Sequence, residues 1–298
     1  MNMGRISVVG LGAMGMGMAR ALLRAGHEVA GADIDPARVA ALATEGGRPV
    51  EADTPAQTDI LVLVVLNAAQ SRAVLGGPNG WLAGLGPGAV VISCATMAPD
   101  EARALAAEAE AAGIDYLDAP ISGGAVRADE GALSVMAAGS EAAFARAGPA
   151  LDAMAATVHR LGDAPGAGSA MKAVNQLLAG VHIAAMGEAM TLGMAHGLAP
   201  ERIVEVISAS AGTSWMFENR APHVVEGDYA PRSAIDIWPK DLGIVCAMAD
   251  AAGFDPTVAR AALAQFRAAS AQGMGSVDDA AVTRLHAGPA GVRLPGEG

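Results

Sequence analysis

The chain has 298 residues, 52% hydrophobic and 17% charged, enough to bury one large core or two ordinary ones, so two domains are expected. A net charge of −12, with 17 arginines that nowhere form a run, excludes a nucleic-acid binder, because counterion release from phosphates needs a basic face. The longest apolar run, DILVLVVL at 59–66, is too short to span a bilayer, and no basic-then-apolar leader precedes the first strand; the expectation is a soluble cytoplasmic protein with no membrane partner. Cys94 and Cys246 lack any CxxC or Cys/His spacing, and the six histidines form no HxH or HExxH pair, so neither a disulfide framework nor a metal site is expected.

In chain order, ISVVG (6–10) reads as a strand and 13–25 as a helix. Between them the loop Gly10, Leu11, Gly12, Ala13, Met14, Gly15 carries GxGxxG spacing and is expected to hold the pyrophosphate of a dinucleotide. Gly10 permits the tight turn, Gly12 lets the backbone approach the phosphates, Gly15 lets helix and strand pack closely, and the helix N-terminus supplies N–H donors. A second strand, HEVAGAD (27–33), ends on Asp33, 18 residues after Gly15. A carboxylate there accepts hydrogen bonds from the ribose hydroxyls of NAD and repels the 2′-phosphate of NADP. NAD is therefore the expected cofactor, with Arg38 close enough to a phosphate to leave NADP open. Asp35, ahead of Pro36, reads as a helix N-cap.

The strands DILVLVVL (59–66) and AVVISC (89–94) end where a doubly wound sheet presents its ligand crevice, which makes Leu66, Asn67 and Thr96 candidate cofactor contacts. Turn or cap chemistry is the alternative for each. A helix over 99–112 leads to IDYLDAP (114–120) and then to Ser122, Gly123 and Gly124. A hydroxyl beside bare backbone amides makes a small nest for a substrate carboxylate, or else a plain Gly-rich turn. LSVMAAG (133–139), a helix over 141–154 and TVHRLG (157–162) complete the alternation of a doubly wound α/β domain over 1–162, its parallel sheet covered on both faces.

From 163 to 298 the pattern is all helical. The stretch SAMKAVNQLLAGVHIAAMGEAMTLGMAHG reads as nearly thirty residues of helix, apolar over most of its circumference and so expected to be buried as a spine. Disorder is expected only in the Gly/Pro tail after about 287. The chain has only two lysines, Lys172 and Lys240. Arginine serves most surface needs equally well, but it cannot release its proton near neutral pH, whereas a partly buried lysine can. Lys172 is thus a candidate general acid/base, with Asn175 one turn away to orient the reacting hydroxyl or the lysine. His182, two turns beyond Asn175, is a core histidine or a substrate contact. Lys240, beside Asp241, is a helix-terminal ion pair or reaches the cofactor or substrate.

GLGAMG, DAPISGG, GAGSAMKAVNQ and KDLGI, in this order and at these separations, resemble the β-hydroxyacid dehydrogenase family, which includes 3-hydroxyisobutyrate dehydrogenase and tartronate semialdehyde reductase. The likeness runs from about residue 5 to 285. It implies a Rossmann domain, an all-α domain and a homodimer or homotetramer packed through the helical part. It also implies a catalytic Lys172, with Ser122, Gly123, Gly124 and Asn175 on the carboxylate of a small hydroxy acid and Thr96 and Lys240 on NAD. NQLLAGVHIAAMGEAM, CATMAPD and SAGTSWMFENR are similar to the branch that oxidises a four-carbon sugar acid, threonate, at C2; His182, Ser214 and Asn219 are then candidates for its extra hydroxyls. Two departures are Ala95, where relatives often carry serine, and Trp238-Pro239 ahead of Lys240. The alternatives kept open are a 3-hydroxyisobutyrate dehydrogenase, a semialdehyde or glyoxylate reductase using NAD(P)H, and a dinucleotide-sensing protein without turnover.

Overall fold

The computed structural model describes residues 5–50, 58–77 and 79–296. Packing divides the chain into two units, the first ending at Lys172 and the second beginning at Ala173, so by packing the division falls inside the long helix over 167–195.

The first unit runs β1 (Arg5–Val9), α1 (Ala13–Arg24), β2 (Glu28–Ala32), α2 (Pro36–Thr44), β3 (Arg48–Pro49), β4 (Ile60–Leu63), α3 (Ala68–Leu75), α4 (Trp81–Gly84), β5 (Val90–Ser93), α5 (Pro99–Ala111), β6 (Asp115–Asp118), β7 (Ile121–Ser122), α6 (Gly124–Glu130), β8 (Leu133–Ala137), α7 (Glu141–Met154) and β9 (Ala155–Arg160). Six strands form one parallel sheet in the order β3-β2-β1-β4-β5-β6. Alternate residues face opposite sides: Ile6, Val8, Val62 and Ile92 pack against Met18 and Leu22 of α1 and Phe144 of α7. Val9, Leu61, Leu63 and Val91 pack with Trp81 and Leu105 on the other side. Both faces are apolar because both are covered, which is why the strands read as continuous runs of Val, Ile and Leu; each such side chain, fully buried, contributes about 1.5–3 kcal/mol. The chain leaves β1 toward β2 and later returns to β4 on its other side, so the strand order reverses at β1. A doubly wound sheet opens its crevice at such a switch point, beyond the carboxyl ends of the strands.

LSVMAAG and TVHRLG are strands but do not join the main sheet. They form a separate three-stranded sheet, β7-β8-β9, with β7 antiparallel and β9 parallel to β8. Only Ala119 and Pro120 separate β6 from β7. A parallel crossover within one sheet needs a dozen or more residues, so the chain leaves the main sheet there.

The second unit begins within α8 (Ala167–Ala195) and continues through α9 (Pro200–Ser208), α10 (Trp215–Glu226), α11 (Ile237–Ala251), α12 (Thr257–Ala269) and α13 (Arg284–Ala287). Ile183, Met186 and Met190 of α8 share one apolar cluster with Phe217, Leu242, Val245 and Phe266. This helix is long and apolar enough to cross a membrane by length and composition, the test that the 59–66 run fails. Its buried side chains belong to the core of a globular unit. The helix is not buried all round, however: Val174, Leu178 and Leu192 are exposed. A polar centre also lies inside the unit, where the wholly buried Asp279 accepts from Arg220 Nε (2.6 Å) and Trp238 Nε1 (3.0 Å). Burial pushes the Asp279 carboxyl up, against the pull of Arg220. Its neighbour Asp278 bonds His223 Nδ1 at 2.8 Å and accepts the N–H of Arg232. The tail expected to be disordered runs largely exposed but anchors through Leu294, which is buried.

Candidate functional site

At the switch point, β1 delivers the chain into the glycine loop. Gly10 sits at φ +94°, with its N–H bonded to Ala32 O at 2.9 Å, and a side chain there would strike Val64 O. Helix α1 begins at Gly12 with no side-chain cap and no acidic residue in its first turn. By contrast α2, α3, α7 and α10 are capped by Asp35, Asn67, Ser140 and Ser214. A helix start left without a capping side chain presents its first-turn N–H groups, from Ala13 and Met14 onward, and its positive dipole to an external anion. Gly15 fits against Gly10 so closely that a methyl group would overlap the Gly10 carbonyl.

Asp33 ends β2, and its carboxylate is only 6% exposed. One oxygen accepts Leu11 N–H at 2.6 Å and the other Asp35 N–H at 2.8 Å, so Asp33 shapes the glycine loop as well as facing it. Arg38 lies 3.6 Å from Asp33 and 3.4 Å from Asp35. A groove of about 500 Å³ runs along Leu11, Gly12, Ala13, Met16 and Arg38. Bare first-turn amides, a buried acid with spare lone pairs and an apolar wall suit a phosphate-linked dinucleotide.

The strand-end candidates resolve differently. Asn67 caps α3, its Oδ1 accepting Gln70 N–H at 2.9 Å, while Leu66 N–H bonds the Gln70 side chain. Its observed work is therefore capping. Thr96 is partly buried between β5 and α5. Cys94 nearby is no nucleophile, since burial pushes its thiol up to about 12. Among the described residues, no three His, Cys, Asp or Glu side chains are grouped to hold a metal ion.

Lys172 is 8% exposed, and its ammonium donates to Ile121 O at 2.8 Å. The first unit thus places this amine one residue from Ser122, at the loop where Gly123 (φ +136°) and Gly124 (φ +77°) adopt backbone that a side chain would strain. Sequence reasoning missed Asp118, which ends β6 and ties down the start of α8: it accepts Gly166 N–H (2.8 Å), Ser169 N–H (2.9 Å) and the Ser169 hydroxyl (2.7 Å). The only available signal was an acid opening the DAPISGG motif.

In the second unit, Asn175 Nδ2 donates to Gln176 Oε1 at 2.9 Å, and Gln176 Nε2 donates to the buried Asp241. Asp241 in turn pairs with Lys240 Nζ at 2.6 Å. Lys240 lies within the first turn of α11, a position where the helix dipole disfavours a cation and Asp241 offsets it. His182 is partly buried on α8, Ser214 Oγ is taken up by Phe217 N–H as the α10 cap, and the exposed Asn219 bonds Arg220.

Residues 5–162 match the family described as the NAD binding domain of 6-phosphogluconate dehydrogenase, and 166–286 the family described as NAD-binding of NADP-dependent 3-hydroxyisobutyrate dehydrogenase. The chain is 46% identical to L-threonate dehydrogenase of Cupriavidus necator, over 98% of each chain. It is 44% identical to L-threonate dehydrogenase of Escherichia coli strain K12, over 98% of this chain and 96% of that one. The crystal structure of 3-hydroxyisobutyrate dehydrogenase from Salmonella typhimurium superposes with a TM-score of 0.89 at 47% identity, over 95% of this chain and 99% of that one. The uncapped helix start, the acid after β2 and the buried lysine beside the Ser-Gly-Gly loop agree with these matches: the chain belongs to the NAD-binding hydroxyacid dehydrogenase family that includes 3-hydroxyisobutyrate dehydrogenase and L-threonate dehydrogenase.

Proposed function

We propose that the chain oxidises the C2 hydroxyl of L-threonate to the 2-oxo acid. The observation that carries this reading is the buried Lys172 amine against Ile121 O, next to the Ser122–Gly124 loop. NAD, held at the glycine loop and Asp33, supplies the hydride acceptor. The Ser122 hydroxyl and the backbone of Gly123 and Gly124 bind the substrate carboxylate, which fixes the orientation of C2. Lys172, reacting as the neutral amine, takes the hydroxyl proton as the C–H bond breaks. Asn175, Thr96 and Lys240 carry the roles that the family resemblance gives them, carboxylate contact for the first and cofactor contact for the others. The names of the Cupriavidus and Escherichia relatives support threonate. The name of the Salmonella structure favours a second reading, 3-hydroxyisobutyrate. An NADH-coupled screen of short hydroxy acids, both stereoisomers of each and with NAD or NADP, separates the two. We expect L-threonate with NAD to give the highest kcat/KM, and preference for 3-hydroxyisobutyrate or for NADP would overturn the assignment.

We also propose a cytoplasmic homodimer or homotetramer formed by the helical unit. The two buried free thiols suit a reducing compartment. Val174, Leu178 and Leu192 lie on one side of α8 and leave an apolar stripe open to water. Sedimentation velocity at micromolar concentration is expected to give two or four chains per particle, and Leu178→Glu to dissociate them; a wild-type monomer would contradict the proposal.

A further inference from the structure

We infer that Asp118 is a positioning residue for Lys172, clamping the first turn of α8 to the end of β6 so that the amine is held at the Ile121 carbonyl. This rests on Lys172 being the proton acceptor. Three features make the clamp stiff. Asp118 is 1% exposed, and its own backbone is fixed on both sides, by the ladder to Ser93 and by reciprocal bonds with Ala138 at 3.0 and 2.9 Å. Its two carboxylate oxygens accept three donors from Gly166 and Ser169, at the very start of the helix. Gly168 lies so close to the sheet that an added methyl group would come within 2.5 Å of both Asp118 O and Met136 O.

A helix start is ordinarily capped by the residue just before it. Here the cap comes from 48 residues away, so it sets where the helix lies as well as satisfying its amides. Ser169 is three residues, nearly one turn, before Lys172, so displacement of one end of this turn moves the amine at the other. Burial pushes the Asp118 carboxyl up, while the Ser169 and Gly166 donors and Arg103 pull it back.

The test uses the full chain with the hydroxy acid that it turns over fastest. Asp118→Ala deletes the clamp and is expected to lower kcat about 10- to 100-fold, with the NAD Kd changed less than about twofold, since misplacement of about 1 Å costs a reaction up to 10²-fold. Asp118→Asn can keep every contact, its carbonyl oxygen accepting both N–H groups and its amide donating to Ser169 Oγ; kcat is expected within about threefold of wild type. Should the alanine variant fail to fold, Ser169→Ala, which deletes a single contact, is expected to lower kcat several-fold at constant NAD affinity. Wild-type kcat in a folded Asp118→Ala or Ser169→Ala variant would overturn the inference. So would an asparagine variant as impaired as the alanine one, or an NAD Kd that rises in step with the loss of kcat. Lys172→Ala run in parallel separates the two levels: if it retains turnover the proton-acceptor reading fails, and if it is inactive while Asp118→Ala is fully active only the clamp fails.

Discussion

Replacing Lys172 with alanine is expected to lower kcat by about 10²–10⁴-fold, the usual contribution of a positioned acid/base group, while the NAD Kd stays within about twofold. The cofactor determinants proposed above lie elsewhere in the same unit, at the uncapped start of α1 and at Asp33, and the lysine side chain is directed to Ile121 O instead. Lys172→Arg makes the sharper comparison. It preserves the positive charge and the ability to donate to the Ile121 carbonyl, but a guanidinium does not give up its proton near neutral pH. If the lysine served only to attract the substrate carboxylate, the arginine variant would retain most of its turnover. If the amine must accept a proton, arginine is as impaired in kcat as alanine. Steady-state kinetics with separate NAD titrations decide between them, and an arginine variant with wild-type kcat would remove Lys172 from proton transfer.

The sequence carried the elements of this site that depend on local rules. A glycine loop between strand and helix, an acid at the end of β2 and a lysine on an apolar helix, in a chain served almost everywhere else by arginines, are all readable along the chain, because spacing and composition alone define them. Asp35 before Pro36 was legible as a cap, and its side chain does accept Ala37 N–H. What was not legible depends on tertiary partners. Asn67 stands at a strand end where a cofactor contact and a helix cap look alike in sequence; the cap becomes visible once Gln70 N–H is placed, and it occupies only the Asn67 side-chain oxygen. Asp118 acts on Gly166 and Ser169 across a long interval of chain, and no periodicity signals that. The three-stranded sheet was missed because β8 and β9 have the same apolar character as main-sheet strands. The short β6–β7 link that diverts them matters only once pairing is known. The apolar circumference of α8 read as complete burial, but a helix that exposes Val174, Leu178 and Leu192 in one chain has the same composition as one buried all round.

Methyl groups added at two of the three loop glycines are expected to have different consequences, although both positions belong to one motif. At Gly15 the new carbon would overlap the Gly10 carbonyl and press on the partly buried Val64, so α1 would have to move away from β1. Gly15→Ala should therefore lower Tm and NAD affinity together. At Gly12 the nearest atom to the new carbon is Arg38 Nη1 at 3.8 Å, the end of a half-exposed flexible side chain, and the extended backbone at Gly12 (φ −64°, ψ −174°) suits any residue. The protein itself thus gives no reason for glycine at this position, and the requirement must come from what approaches the loop from outside. Gly12→Ala is expected to leave Tm unchanged and to weaken NAD binding by about 10²-fold or more, as expected when bulk is inserted between a pyrophosphate and the amides that bind it. Calorimetric titration with NAD alongside thermal melts measures both quantities. If Gly12→Ala bound NAD like wild type, the phosphates could not lie against this helix start, and the placement of the cofactor along α1 would be wrong even though the fold is right.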